Sequence, residues 1–357
     1  MLYRPFGKTG KNISVISFGG MRFSTPKNLE KSADTLLHAQ QQGINYFDTA
    51  PIYCGDRSED IFGHAFRQLP RESFYVSTKC SQATGENLRK SLERSLQRLG
   101  VEQIDFLYIW HLMNPEDWEN RQQQGAIEAA LQAKEEGLIG HLLCSSHMEG
   151  EGLSKVLDEE IFEGVLLGYN AINFPYRRAA VEQAGKQGIG VVTMNPLGGG
   201  LIPQNPEHFA FLKTATANDV VSAALQFNLS HPAITTALVG FADIQEIDQA
   251  VAAVDSFIPY NKEQQRELQK NIEVSFNGFC TGCGYCLPCP VDIHIPKYLD
   301  SYNQLILTNG NRQAVLDRYR MHWNITPQQA KECIACGACE ERCTQHLPII
   351  QRLAELP

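Results

Sequence analysis

Phe74-Tyr75-Val76-Ser77-Thr78-Lys79, then Asn87–Leu99, then Ile104-Asp105-Phe106-Leu107-Tyr108-Ile109-Trp110-His111 reads as strand, helix, strand. The two outer runs are short and mostly apolar, as strands buried on both faces are. Asn87–Leu99 carries Leu88, Leu92, Leu96 and Leu99 at helical spacing, one apolar face of a helix. The same alternation continues outward. Ile16–Met21 and Ile44–Thr49 precede it; Leu138–Ser145, Gly164–Tyr169, Gly190–Met194 and Thr235–Gly240 follow, with helical segments such as Ala126–Glu136 and Asp219–Leu229 between them. Strand–helix pairs repeated this way over roughly 250 residues predict an α/β fold, a (β/α)₈ barrel of the TIM type, over residues 1–258. A doubly wound open sheet would carry Gly-x-Gly-x-x-Gly after its first strand, and none is present.

The chain has 357 residues and a formal net charge of −9. Lysine and arginine balance the carboxylates beyond residue 258, so the negative excess belongs to the barrel. That excess argues against a nucleic acid or an anionic membrane as partner. No apolar run approaches the ~20 residues of a membrane span, and the N-terminus has no apolar leader. Of 11 cysteines, most crowd into residues 280–343. Regular Cys-x-x-Cys spacing without a secretion signal reads as metal or redox chemistry in a reducing compartment, and the expected location is cytoplasmic. Residues 259–275 read as a connecting helix and residues 276–357 as a small, mainly helical domain, with helical spacing over Pro296–Arg320.

The cysteine runs are Cys280-x-x-Cys283-x-x-Cys286-x-x-Cys289-Pro290 and Cys333-x-x-Cys336-x-x-Cys339-x-x-x-Cys343. Three thiolates at this spacing wrap a loop around one iron–sulfur cubane, and a fourth cysteine reaches a second. A pair of zinc sites would leave the third regularly spaced cysteine of each run unused; one cluster with spare thiols is the other alternative. The region resembles the bacterial ferredoxin-type domain that holds two [4Fe–4S] clusters. On that resemblance Cys280, Cys283 and Cys286 share a cluster with Cys343, while Cys333, Cys336 and Cys339 share one with Cys289. The two-residue gap before Cys289 and the missing proline after Cys343 depart from the pattern. Isolated Cys54, Cys80 and Cys144 read as small buried hydrophobes.

Polar residues stand at the strand ends, where barrels of this kind do their chemistry. Asp48 closes the second strand, Tyr53 follows it, Lys79 ends the third and His111 the fourth. A buried Asp–Lys pair places a positive charge beside the phenol and is expected to lower its pKa from about 10, while a neutral imidazole orients a carbonyl oxygen. Phe47-Asp48-Thr49-Ala50-x-x-Tyr53, Gly63, Thr78-Lys79 and His111 together resemble the aldo-keto reductase family, over roughly residues 1–258. The resemblance implies that Tyr53 is the acid/base, that Lys79 and Asp48 tune it and that His111 orients the carbonyl. It also implies an NAD(P)(H) nucleotide bound across the mouth without a Rossmann motif.

Expected nucleotide contacts are Met21, Ser145, Ser146, Met194, Asn195, Leu197 and Gly240. Ser146 stands where the family has Asn, Leu166 where it often has Gln, and Met194 where an aromatic ring stacks. After the eighth strand, Gly240–Gln249 holds Asp243, Glu246 and Asp248 and no cation, so NADH is expected to serve at least as well as NADPH. The leading expectation is an enzyme acting on a small-molecule carbonyl or alcohol. Its clusters either exchange electrons with an electron-transfer protein or serve as a folded cap. The alternative is an iron–sulfur electron-transfer or redox-sensing protein on a nucleotide-binding barrel. Hydride chemistry moves two electrons and a cubane one, so the two halves are not coupled by the sequence alone.

Overall fold

The structure, a computed structural model, describes residues 1–148, 150–275, 279–280, 282, 284–343 and 346–357. An antiparallel hairpin, β1 (Tyr3–Pro5) and β2 (Asn12–Ser14), opens the chain. Then β3 (Ile16–Gly19), β4 (Tyr46–Asp48), β5 (Tyr75–Cys80), β6 (Ile104–Leu112), β7 (Ile139–Ser146), β8 (Gly164–Gly168), β9 (Gly190–Met194) and β10 (Thr236–Gly240) form a closed parallel barrel in chain order, with β10 pairing back onto β3. All the expected barrel strands are present.

Alternate strand residues face the lumen, which is filled by Tyr46, Phe106, Tyr108, Leu143, Leu166 and Val192. The hairpin contributes Phe6 to this cluster as a plug. Room for its ring exists because β8 and β9 begin with glycine. A Cβ on Gly190 would lie 2.3 Å from the Phe6 ring and one on Gly164 2.6 Å. The outer helices bury their apolar stripes against the sheet. Gly85–Leu99 begins at Thr84, whose hydroxyl accepts from the Asn87 N–H at 3.3 Å, and ends at left-handed Gly100.

Beyond the barrel, a helix spans Lys262–Ser275. The helical stretch expected over Pro296–Arg320 is broken in two. Ile295–Leu307 and Arg312–Arg318 are separated by Asn309 and Gly310, whose φ values of 52° and 84° end the first helix. A π-helical turn follows at Tyr319–Trp323. This C-terminal part is mainly helical and has its own apolar core, built on Ile293, Tyr298, Leu299, Val315, Tyr319 and Leu353 with Cys286 and Cys339. Among the described residues no helix is long and apolar enough to cross a membrane.

Candidate active site and cluster region

Parallel pairing sets Asp48 beside Ser77 and Lys79 beside Tyr108 at the top of the barrel. Asp48 and Lys79 are both buried, at 1% exposure. Lys79 Nζ donates to Asp48 Oδ1, and to the Thr49 carbonyl at 2.8 Å; Ser77 Oγ donates to Asp48 Oδ2 at 2.6 Å. Buried charges persist only when paired and hydrogen-bonded, and here both conditions hold. Burial works to lower the Lys79 pKa, but Asp48 and Tyr53 outweigh it and the ammonium sits above its ordinary value.

Tyr53 opens a loop in which Cys54, Gly55 and Asp56 are all left-handed, with φ of 55°, 66° and 65°. Surrounding contacts must hold such backbone in place. Arg98 does so, its Nη1 donating to Asp56 Oδ1 at 2.5 Å and its Nε to Asp60 Oδ1 at 2.8 Å. The Tyr53 ring then lies 4.9 Å from Lys79 Nζ and meets Trp110 edge-on at 5.8 Å. The expected lowering of the Tyr53 pKa is corrected here. Burial raises the phenol, and although Lys79 opposes this, the net value is above the ordinary 10.0. Removed from water, the phenolate loses more hydration than one neighbouring ammonium returns.

The β6–β7 register slips between Ile109 and Leu112, and inside this bulge His111 takes a φ of 68°. Bulges of this kind re-aim side chains beside functional sites. His111 Nε2 lies 3.4 Å from the Met321 carbonyl oxygen, and its ring is edge-on to His147 at 5.2 Å. The structure thus gathers Asp48, Lys79 and Tyr53 directly and brings His111 in beside Trp110. Trp110, His147 and Met321 were not singled out from sequence. Trp110 precedes His111 in the same strand and was legible as a strand-end aromatic. Cys80 and Cys144 are buried as expected, whereas Cys54 is half-buried and its Sγ donates to Gly20 O at 3.5 Å.

A cleft of about 460 Å³ runs along β10 and the loop that follows β9. Asn195, Leu197 and Gly240 line it with Arg22, Gly199 and Gly200. The turn Gly198–Gly200 has φ of 64°, 71° and 100°, and a Cβ on Gly199 would meet nothing within 4 Å. At Gly199 the wall is bare main chain facing open space, which suits a nucleotide lying against backbone. Met194 tops the lumen cluster and Ser145 is buried. Ser146 uses its hydroxyl locally, donating to Leu112 O at 3.3 Å and accepting from Met148 N at 3.0 Å. Met21 is 51% exposed just past β3. Glu246 Oε2 accepts from Ala242 N at 2.7 Å while Asp243 Oδ1 accepts from Glu246 N at 3.1 Å, a reciprocal helix cap.

In the C-terminal part, Cys289, Cys333, Cys336 and Cys339 line one apolar cavity, which Cys286 also reaches. Cys280 and Cys343 lie near a different side chain, Arg352. Main-chain N–H groups point at their sulfurs, from Gly282 to Cys280 at 3.4 Å and from Leu347 to Cys343 at 3.5 Å. Cys283 lies outside the described residues. Among the described residues, no three His, Cys, Asp or Glu side chains converge as they would on a single metal ion. Soft thiols in two groups, with N–H donors to sulfur, are a donor set suited to iron–sulfur clusters.

Comparison with known proteins gives two family matches, the aldo/keto reductase family over residues 15–273 and a 4Fe-4S dicluster domain over residues 279–348. L-galactose dehydrogenase of Arabidopsis thaliana is 28% identical over 73% of this chain and 91% of its own. The uncharacterized oxidoreductase YrpG of Bacillus subtilis is 26% identical over 75% of this chain and 95% of its own. Among solved structures, the holo form of aldo-keto reductase AKR11C1 from Bacillus halodurans superposes with a TM-score of 0.67 at 22% identity, covering 76% of this chain and 96% of that one.

Proposed function

Because the chain belongs to the aldo/keto reductase family and carries a 4Fe-4S dicluster domain, we propose that it reduces a small carbonyl compound, or oxidises the matching alcohol, with an NAD(P)(H) nucleotide at the barrel mouth. The observation that carries this reading is the buried Lys79–Asp48 pair set against the Tyr53 ring. Tyr53, protonated at neutral pH, gives its proton to the carbonyl oxygen as the alcohol forms. Lys79 sits against the resulting phenolate and Asp48 keeps Lys79 charged. His111 orients the oxygen through Nε2. When bound, the nucleotide would supply the hydride; Asn195, Leu197 and Gly240 in the cleft would hold it, and Met194, Ser145, Ser146 and Met21 would hold its nicotinamide.

Tyr53→Phe tests the reading. Turnover should fall about a hundredfold or more while NADH binding, followed by fluorescence, is retained. A Phe variant within a few-fold of wild type would remove Tyr53 as the acid.

NADH serves at least as well as NADPH in this reading. The one cation among the described residues lining the cleft, Arg22, is exposed, so its pull on a phosphate is screened by water. A tenfold preference for NADPH in kcat/KM would count against it.

The cysteines hold two [4Fe–4S] clusters, one on Cys280, Cys283, Cys286 and Cys343, the other on Cys333, Cys336, Cys339 and Cys289. They serve as a folded cap or exchange electrons with an electron-transfer protein. Thiols of this kind suit a reducing, cytoplasmic setting.

A further inference from the structure

The turn Tyr319–Trp323 belongs to the C-terminal part yet lies against the barrel mouth. Its Met321 carbonyl oxygen stands 3.4 Å from His111 Nε2, the same nitrogen that would hold a substrate oxygen. Its next residue, His322, is buried and packs edge-on to His147 at 4.8 Å, and His147 in turn packs on His111. Trp323 lies under the Arg177 guanidinium, 5.3 Å from the ring centroid, while Arg177 Nη1 donates to Met148 O at 2.5 Å at the end of β7. Three consecutive residues of the turn therefore touch elements of the barrel mouth.

The turn is also anchored from behind. Asp300, 5% exposed on the helix Ile295–Leu307, accepts from Arg318 Nε at 2.7 Å and Nη2 at 3.1 Å, and from Trp323 Nε1 at 2.6 Å. One helical turn further on, Asn303 brackets Cys280, with Nδ2 donating to its carbonyl at 2.9 Å and Oδ1 accepting from its N–H at 2.9 Å. A single helix thus ties a cluster cysteine to the segment that faces His111.

We propose that the turn Tyr319–Trp323 is a wall of the carbonyl pocket and selects for small carbonyl substrates, so that the cluster-bearing part supplies a specificity determinant of the barrel's active site. This rests on the reading of Tyr53 and His111 given above. Nε2 has one hydrogen to give, so a substrate oxygen that takes it must displace the Met321 carbonyl while staying against the turn. Its substituents then lie against the turn. A compact aldehyde asks the turn for a small displacement, a bulky one for a larger displacement. Weakening the Asp300 anchor lets the turn yield and favours the bulky substrate.

The test uses the full-length, cluster-loaded protein with NADH and two probes, propanal and 4-nitrobenzaldehyde. Trp323→Phe keeps a ring but removes the N–H bond to Asp300; Asp300→Asn keeps the shape but weakens its hold on Arg318. The ratio of kcat/KM for the bulky over the small aldehyde should rise about tenfold in both variants, with iron content and NADH affinity as in wild type. If the ratio stays within twofold of wild type while iron and NADH affinity are unchanged, the turn is not a wall of the pocket. A loss equal for both aldehydes also overturns the proposal, because it reports general disruption without selection by size. Tyr53→Phe in the same assay separates the two levels. A dead Phe variant with an unmoved ratio sinks only the wall; an active Phe variant sinks the site reading beneath it.

Discussion

Asp48 and Lys79 each answer for the other's burial. Lys79→Met would leave a carboxylate in a dry site with only Ser77 as donor, and Asp48→Leu would strand the ammonium. Either single change should cost about 3–5 kcal/mol of stability in urea unfolding, while the double variant should recover much of that loss. A double variant that loses the sum of the two single losses would show that the charges are not coupled. The Tyr53 phenol makes a second demand. Because burial lifts it above 10.0, it is protonated throughout the neutral range. With Tyr53 as the proposed acid, carbonyl reduction draws on the protonated form, so it should hold steady as pH rises and decline only beyond pH 10. Alcohol oxidation needs the phenolate and should climb over the whole alkaline range. A basic limb near pH 8 in the reduction profile would mean that another group titrates.

The helix Ser58–Phe66 shows how tightly an element can be pinned. A Cβ on Gly63 would lie 2.0 Å from the Arg98 carbonyl oxygen, so no side chain fits between this helix and the end of Gly85–Leu99. The same helix reaches the mouth, where Ser58 Oγ donates to Gly20 O at 2.7 Å and accepts from Thr49 Oγ1 at 2.7 Å. Gly63→Ala should therefore cost roughly 1–3 kcal/mol by overpacking and also slow turnover, since the Tyr53 loop runs directly into this helix at Ser58. Gly137→Ala is the control. Its φ of 79° makes alanine unwelcome, but a Cβ there meets nothing within 4 Å, so it should lose about 1 kcal/mol and keep full activity. Thermal melts and steady-state rates on both variants decide the matter.

Across the whole molecule, two imidazoles sit at the seam between barrel and C-terminal part. Burial first, then Arg177, His111 and Arg318, holds His147 well below 6.5; burial, then Arg318, His147, Arg177 and His111, does the same to His322. Both rings stay neutral in the folded protein while the unfolded chain takes up protons. The stability they permit is complete above pH 6.5 and drains away below it, by about 1.4 kcal/mol per pH unit for each ring that stays neutral. The His147→Gln/His322→Gln variant should show a flatter stability profile between pH 5 and 6.5. Anaerobic preparation should also yield about eight irons per chain; a reproducible count near four would mean one cluster.

The barrel strands and the polar groups at their ends were legible because each is written locally, as an apolar run closed by Asp48, Lys79 or His111. The seam was not. Met321 stands 210 residues from His111 in sequence, and nothing between the cysteine runs marks it. Glu246 illustrates the other limit: its charge was readable, but its use as a helix cap depends on backbone placement. The direction of the Tyr53 pKa likewise depends on burial that no short motif reports.

The Phe6 plug and the pairing of β10 with β3 bear on how the protein is made. A ribosome releases β3 early, yet its outer edge has no partner until residue 240 emerges, and Phe6 has no seat until Gly164 and Gly190 are in place. For most of its synthesis the nascent barrel is an open sheet with a free edge, the kind of surface that invites pairing with other chains. Closure draws together contacts far apart in sequence, which is slow. A translational pause or a chaperone acting before residue 240 would therefore influence yield more than one acting later. Cys280, the first cysteine of the 4Fe-4S dicluster domain, emerges only after that commitment has been made.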